Sequence, residues 1–258
     1  MKKIIPILFC LFAGTNAFAQ QEDTLLISHD GNKIELKALG FDISLSPKKN
    51  KDKGSDSAFS LDFLTSFQFG WIAPFRVDYS MYNAATEPYG DFMSTNILKS
   101  VYLSLDIVDF NVRIFPDTYL GFGIRNDRLE YVFANRLTLE AKDGKIAPRS
   151  LGDVTDFRKS KLVGRYIGIP VHLQFRPNDF IINLEHSFSI LENSFTKYRN
   201  PNNKSFAVPY MNKWQMASAV SVTYNDFGFY VRYYWTPLFE EGKGPQFNTL
   251  SAGFRCDF

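Results

Sequence analysis

Apolar side chains recur at every second position in the last strand-length stretch of this chain, and seven earlier stretches repeat the pattern. In the C-terminal one, Leu250, Ala252, Phe254, Cys256 and Phe258 alternate with Thr249, Ser251, Gly253, Arg255 and Asp257. A period of two puts successive side chains on opposite faces, so each stretch reads as a strand with one greasy and one polar face. The others run from Phe59 to Trp71, Val101 to Ile107, Leu120 to Phe133, Ile167 to Phe175, Phe180 to Ile190, Trp214 to Tyr224 and Phe227 to Trp235. In the third, the greasy parity of Leu120, Phe122 and Ile124 gives way to Leu129, Tyr131 and Phe133, which predicts a bulge within that strand. Eight such segments predict an all-β, eight-stranded antiparallel up-and-down barrel over residues 58–258.

Volume decides which face points inward. An eight-stranded barrel has an interior just wide enough for side chains to fill. The greasy face, rich in the chain's 26 Phe and 13 Tyr, is too bulky for that space, whereas the Gly, Ser, Ala and Thr of the other face fit it. A soluble barrel of lipocalin type would need the opposite arrangement. The apolar face therefore points outward, and lipid is the solvent that accepts it. No stretch after the N-terminal leader is apolar for the roughly 18 residues that a membrane helix needs, and alternating barrel strands need none. The connections agree. Those at Pro116-Asp117, Arg176–Asp179 and Asn225-Asp226 are brief, whereas residues 72–96, 136–158, 193–212 and 237–246 are long and polar. Short periplasmic turns and long outer loops are the pattern of outer-membrane barrels.

The N-terminal end fits export. Lys2 and Lys3, the apolar stretch Ile4 to Phe12 and the small-x-small Ala17-Phe18-Ala19 read as a signal peptide over residues 1–19, cleaved between Ala19 and Gln20. Cleavage removes two lysines and no acid, so the net charge falls from +2 to zero and offers no electrostatic case for nucleic acid. It also removes Cys10, leaving Cys256 as a small apolar residue without an internal partner. Residues 20–57 read as a periplasmic segment. Leu25 to Leu36 suggests a small hairpin around Asp30-Gly31, and Pro47 to Ser57, with four lysines, a basic linker.

The aromatic C-terminal strand resembles the assembly signal of outer-membrane barrels, with Phe254 and Phe258 as its side chains, which implies the barrel-assembly machinery as a partner. Tyr119–Ile124, Tyr166–Phe175, and Thr236-Pro-Leu-Phe followed by Gly242-Lys-Gly-Pro245 resemble the PorT-like outer-membrane β-barrel family of Gram-negative bacteria. The resemblance covers roughly residues 58–258 and implies an eight-stranded barrel in the outer membrane. The namesake branch of that family is tied to protein secretion and maturation at the cell envelope.

Chemistry is sparse in this sequence, which has three histidines and no metal-binding spacing, phosphate loop or dinucleotide fingerprint. His172 falls on the inward parity. His186 interrupts the apolar face between Leu184 and Phe188, and a nucleophile two residues on, the arrangement some lipid-deacylating barrels use, is replaced by Phe188. Neither catalytic residues nor cofactor or metal ligands are assigned. The inward parity instead carries Asp62, Asp106 and Glu185 against Arg125, Arg232 and Arg255, three charges of each sign. In a narrow lumen these are expected to pair into a plug, with a selectivity ring as the rival reading. The expectation is a non-enzymatic envelope protein in contact with outer-membrane lipid and an envelope protein partner, acting through its outer loops or N-terminal segment. A component of a secretion or transport assembly is the alternative, and a lipid-modifying barrel enzyme comes third.

Overall fold

The computed structural model describes residues 26–30, 33–38, 41–45, 59–82, 89–152, 157–200 and 202–258. The signal-cleavage pair Ala19 and Gln20 and the basic linker lie outside them. Three short strands, β1 (Leu26–Asp30), β2 (Lys33–Ala38) and β3 (Phe41–Leu45), form an antiparallel sheet of their own. Asp30 pairs with Lys33, which matches the expected hairpin, and β3 adds a strand that the sequence pattern did not announce.

The rest of the described chain is β4 (Phe59–Asp78), β5 (Val101–Phe115), β6 (Thr118–Val132), β7 (Leu137–Lys142), β8 (Lys145–Ser150), β9 (Lys159–Phe175), β10 (Phe180–Asn200), β11 (Asn202–Ala207), β12 (Trp214–Tyr224), β13 (Phe227–Tyr234) and β14 (Gln246–Asp257). Eight of these pair antiparallel in the cycle β4, β5, β6, β9, β10, β12, β13, β14. β14 returns to β4 through pairs such as Phe254 with Phe69 and Gly253 with Gly70, so the sheet closes into a ring. Closure gives every ring strand two hydrogen-bonded neighbours and removes the free edge that an open sheet would expose. The final residue joins in: the Phe258 N–H donates to Thr65 O at 2.8 Å.

The polar parity points inward and the apolar parity outward. Phe229 is 62% exposed and Ile169 54%, while Arg232 is wholly buried. The exposed apolar residues form a band, from Ile167 to Phe175 on β9, Phe180 to Ile190 on β10 and Trp214 to Tyr224 on β12. Short turns gather at one end of the ring. One of them, Asn225-Asp226, has both residues at positive φ, the two-residue hairpin geometry that suits strand twist.

Two expectations about register are corrected. β6 contains no bulge: its pairing with β9 runs without a shift from Thr118–Phe175 to Val132–Lys161. Leu129 and Tyr131 therefore stay inward, buried at 1% and 0%. The slip is one strand earlier, in β5 at Ile107, where Asp106 pairs with Arg125 but Val108 pairs with Ile124. A second slip lies in β10 between Leu191 and Asn193, with Glu192 the extra residue. It lets β10 continue to Asn200, so residues 193–200 are strand instead of loop.

The long connections at the other end are packed together. The β7–β8 hairpin occupies much of the expected loop 136–158. Its Ile146 N–H donates to Lys243 O at 2.7 Å, and Tyr82 Oη donates to Ile146 O at 2.6 Å. Asn212 Nδ2 donates to the carbonyls of Pro237 and Phe239 at 2.8 and 2.9 Å. Phe92, Ile146, Met211, Leu238, Phe239 and Phe247 are buried in one apolar cluster that continues into the ring through Leu129 and Tyr131. Four connections thus form a cap over the ring mouth. Cys256 lies on the outward parity of β14, paired across to Phe227 on β13 and Phe67 on β4.

Candidate functional site

The interior of the ring is the site at which the sequence concentrates chemistry, and it is built in layers. At its centre, β5, β6, β10 and β13 each contribute one charge. The Arg125 guanidinium contacts two carboxylates: Nε donates to Asp106 Oδ1 at 2.5 Å and Nη2 to Asp106 Oδ2 at 3.0 Å and Glu185 Oε2 at 2.7 Å, while Nη1 pairs with Glu185 Oε1. Arg232 Nη2 lies 2.8 Å from Glu185 Oε1 and also donates to Gln68 Oε1 at 3.2 Å. Its Nη1 donates to Ser187 Oγ at 3.2 Å, and its guanidinium sits 5.3 Å above the Tyr102 ring. Ser66 Oγ donates to Asp106 Oδ2, the oxygen that Arg125 Nη2 also reaches. Asp106, Arg125, Glu185 and Arg232 thus alternate in sign along one chain and sum to zero, and each is at most 6% exposed.

The other two expected members sit elsewhere. Arg255 Nε donates to Asp257 Oδ1 at 2.7 Å, whose other oxygen accepts from Thr223 Oγ1 at 3.0 Å. Asp62 pairs across to Asp109 near the short-turn end and is only half-buried. Four of the six expected charges therefore make the central network, while Arg255 and Asp62 belong to the rim below it. Asp109 and Asp127 are inward residues that the alternation missed. The unannounced slip at Ile107 turned Asp109 inward, and the bulge wrongly expected in β6 hid Asp127 two residues after Arg125.

Above the charges lies a layer of tyrosines. Tyr102 Oη donates to Asp127 Oδ1 at 2.6 Å, Tyr230 Oη lies 2.9 Å from Ser251 Oγ, and Tyr102 and Tyr230 meet with ring centroids 5.8 Å apart. Gly70 and Gly253, paired across β4 and β14, leave the space this layer needs: a Cβ on Gly70 would collide with Tyr230 Oη and with the backbone of Ala252. Below the charges, His172 Nε2 donates to Asn111 Oδ1 at 3.0 Å and Asn111 Nδ2 to Asp109 Oδ2 at 3.0 Å. Gly121 faces that histidine for the same steric reason. His172 thus holds a hydrogen-bonded position inside the ring.

His186 faces outward, as expected, but a hydroxyl reaches it from the neighbouring strand. Its Nδ1 lies 2.8 Å from Ser218 Oγ, which also accepts from Trp235 Nε1 at 2.9 Å. A histidine and a serine in this relation are the first two parts of a nucleophilic pair. Among the described residues no carboxylate ion-pairs with His186, and the backbone around His186 and Ser218 is paired within the sheet. What the three side chains do is satisfy one another's polar atoms on an apolar surface.

No protein-family model matches the chain, and no curated protein matches it in sequence.

Proposed function

We propose that the chain is an eight-stranded transmembrane β-barrel of the bacterial outer membrane, of the PorT-like kind. In this reading it is a non-enzymatic envelope protein with a sealed interior, acting through its capped outer loops or its N-terminal periplasmic segment. The observation that carries the reading is the inverted distribution of polarity. A closed ring that turns a band of Phe, Ile, Leu and Val outward and buries a four-residue charge network inside is stable only where the surroundings are hydrocarbon. The charge network, tyrosine layer and aromatic cap fill the ring from the middle to one mouth, which supports a plug over a conduit. Phe254 and Phe258, on the closing strand, suit recognition by the barrel-assembly machinery. The test is surface labelling of intact cells. An epitope inserted beside Asn202 is expected to be accessible and one beside Lys51 protected, with both in the outer-membrane fraction. A soluble or inner-membrane protein, or the reverse labelling, overturns the reading.

A second reading, a component of a secretion or transport assembly, is favoured by the separate β1–β3 sheet, a folded element that ring closure does not require. Under that reading, deleting residues 20–57 abolishes co-purification of an envelope partner and leaves the ring intact.

A further inference from the structure

The mutual hydrogen bonds of His186, Ser218 and Trp235 leave one polar atom over. His186 Nδ1 is taken by Ser218 Oγ at 2.8 Å, and the imidazole stands edge-on to Phe188 with ring centroids 4.8 Å apart. Among the described residues, Nε2 has no hydrogen-bond partner. The ring is half-buried on the outward face of β10, with Val171 of β9 on one side and Ser218 of β12 on the other. Val171, Leu184, Phe188, Met216 and Val220 around it are all exposed. A polar atom therefore faces outward from the middle of an apolar surface.

In the membrane reading, depth decides what meets that atom. Along β10 the exposed apolar parity runs from Phe180 to Ile190, and His186 lies six residues from the first and four from the second. At about 3.3 Å a residue and a strand tilt of about 40°, it stands roughly 15 Å from the short-turn edge of the band and 10 Å from the capped edge. Lipid ester and headgroup oxygens lie at those edges. Only acyl chain is within reach of Nε2, and hydrocarbon neither donates nor accepts a hydrogen bond. The group that satisfies Nε2 has to be carried to that depth by protein. Asn126 on β6 is also outward and half-buried, but it lies two strands away, and among the described residues no hydrogen bond fixes its amide.

We propose, resting on the membrane reading, that His186 is the contact point of a homodimer within the bilayer. Two copies meet through the outward faces of β10 and β12 about a twofold axis along the membrane normal. Such an axis leaves depth unchanged, so it sets each His186 opposite its own counterpart, whereas an unrelated partner needs a polar side chain at that same level. The chemistry is self-complementary too. Trp235 Nε1 donates to Ser218 Oγ at 2.9 Å, which leaves the Ser218 hydroxyl able either to donate to His186 Nδ1 or to accept from it. In the first case Nε2 carries the proton and donates, and in the second it accepts. One imidazole of each kind joins across the axis, Nε2–H to Nε2, with Leu184, Phe188, Met216 and Val220 packed around the pair. Ser218 and Trp235 act as positioning residues that hold the ring.

The test uses the processed chain in phosphatidylcholine liposomes over a series of protein-to-lipid ratios, with Förster transfer between differently labelled copies as the readout. Each variant is first checked for the heat-modifiable gel band of a closed ring. The wild-type chain is expected to form dimers that dilution in lipid dissociates. His186→Phe keeps a ring and removes its polar atoms, and should weaken dimerisation about tenfold; Ser218→Ala, which frees the imidazole to turn, should weaken it by a smaller factor. His186→Gln, still both donor and acceptor, should retain most of the affinity, and Asn126→Leu should change nothing. In a Cys256→Ser background, a short bismaleimide should join two copies of Phe188→Cys but not of Phe63→Cys, which lies across the ring on β4. Monomers at every ratio, dimers undiminished by His186→Phe, or cross-linking at Phe63→Cys instead overturn the proposal. So does a monomeric chain that loses a different co-purifying membrane protein in His186→Phe, which would assign the face to that partner. Lipids brominated on their acyl chains test the membrane reading separately, through the exposed Trp71, Trp214 and Trp235. Quenching without self-association sinks the dimer alone, and no quenching sinks the membrane reading beneath it.

Discussion

The two interior arginines should not be equivalent, and the difference between them tests the layout of the network. Arg125 contacts both carboxylates, whereas Arg232 contacts only Glu185, at 2.8 Å. Removing Arg125 leaves Asp106 with the Ser66 hydroxyl as its hydrogen-bond donor and no cation in contact. Removing Arg232 leaves one surplus negative charge too, yet both acids keep Arg125. Breaking a buried pair by deleting one partner costs about 3–5 kcal/mol, because the other charge stays buried. Arg125→Met, which keeps the volume, should therefore cost about 3–5 kcal/mol, and Arg232→Met roughly half as much. Adding Asp106→Asn to Arg125→Met removes the surplus charge and should restore about 1–2 kcal/mol, a coupling that independent sites would not show. The assay is reversible urea unfolding in detergent micelles, read by tryptophan fluorescence, with single-channel recording in planar bilayers alongside. Equal costs for the two arginines, or strict additivity in the double variant, would refute the assigned pairing. An unchanged midpoint accompanied by ion conductance in either variant would refute the plug.

Three further outcomes follow from the same geometry. Gly70→Val sets a branched side chain against Tyr230 Oη and the Ala252 backbone at the closing β14–β4 seam, so it should lower the unfolding free energy by about 1–3 kcal/mol and shift the heat-modifiable gel band, whereas Gly144→Val, in open space on the β7–β8 turn, should leave ring closure alone. Tyr79→Phe removes a hydroxyl that donates to Asp91 Oδ1 at 2.5 Å and accepts from the Met93 N–H at 2.9 Å; the cap should loosen by about 1 kcal/mol, seen as faster amide exchange around residues 89–100 with no change inside the ring. Lys161→Met removes one of the two cations that pair with the buried Glu130 carboxylate and should lower the unfolding free energy by about 1–3 kcal/mol, with Lys161→Arg recovering most of it; no loss in the Met variant would argue against the pair.

Alternation revealed the fold because a ring strand has only two environments. Each residue of β12 and β13 meets either the packed interior or the exterior, so Ala217, Ala219, Tyr230 and Arg232 could be assigned inward from parity alone, and the structure has them there. Parity fails where a strand takes an extra residue, since one insertion exchanges the faces of everything beyond it. The segment Asp106-Ile107-Val108-Asp109 carries no glycine or proline to mark its slip. On β6 the apparent change of parity was false: Leu129 and Tyr131 are apolar because the upper ring is filled by aromatic side chains, not because the strand turned over. Binary patterning cannot tell a greasy residue on the outer face of the ring from one facing an apolar cap.

Partnership across strands was the other hidden quantity. Which arginine meets which acid depends on strand order and register together. Arg125 and Glu185 are 60 residues apart in sequence and meet across the interior, and Ser218 reaches His186 only because β10 and β12 pair at that row. A search for a nucleophile two residues along the same strand could not find it. The upper rows of β9 and β10 show the same principle acting through a defect. Without Glu192 the outward parity of β10 would have continued through Ser194 and Thr196, and β9 would have faced hydroxyls. The extra residue substitutes Lys197 and Arg199 in that row. A single inserted residue thereby sets Lys197 opposite Lys161 and Arg199 opposite Lys159, two like-charged pairs where hydroxyls would have stood. Like charges facing each other across an antiparallel pair repel. Lys197→Gln, which relieves one of the two pairs, should therefore raise the unfolding midpoint, and a lower midpoint would show that Lys197 is held by attraction and not tolerated against repulsion.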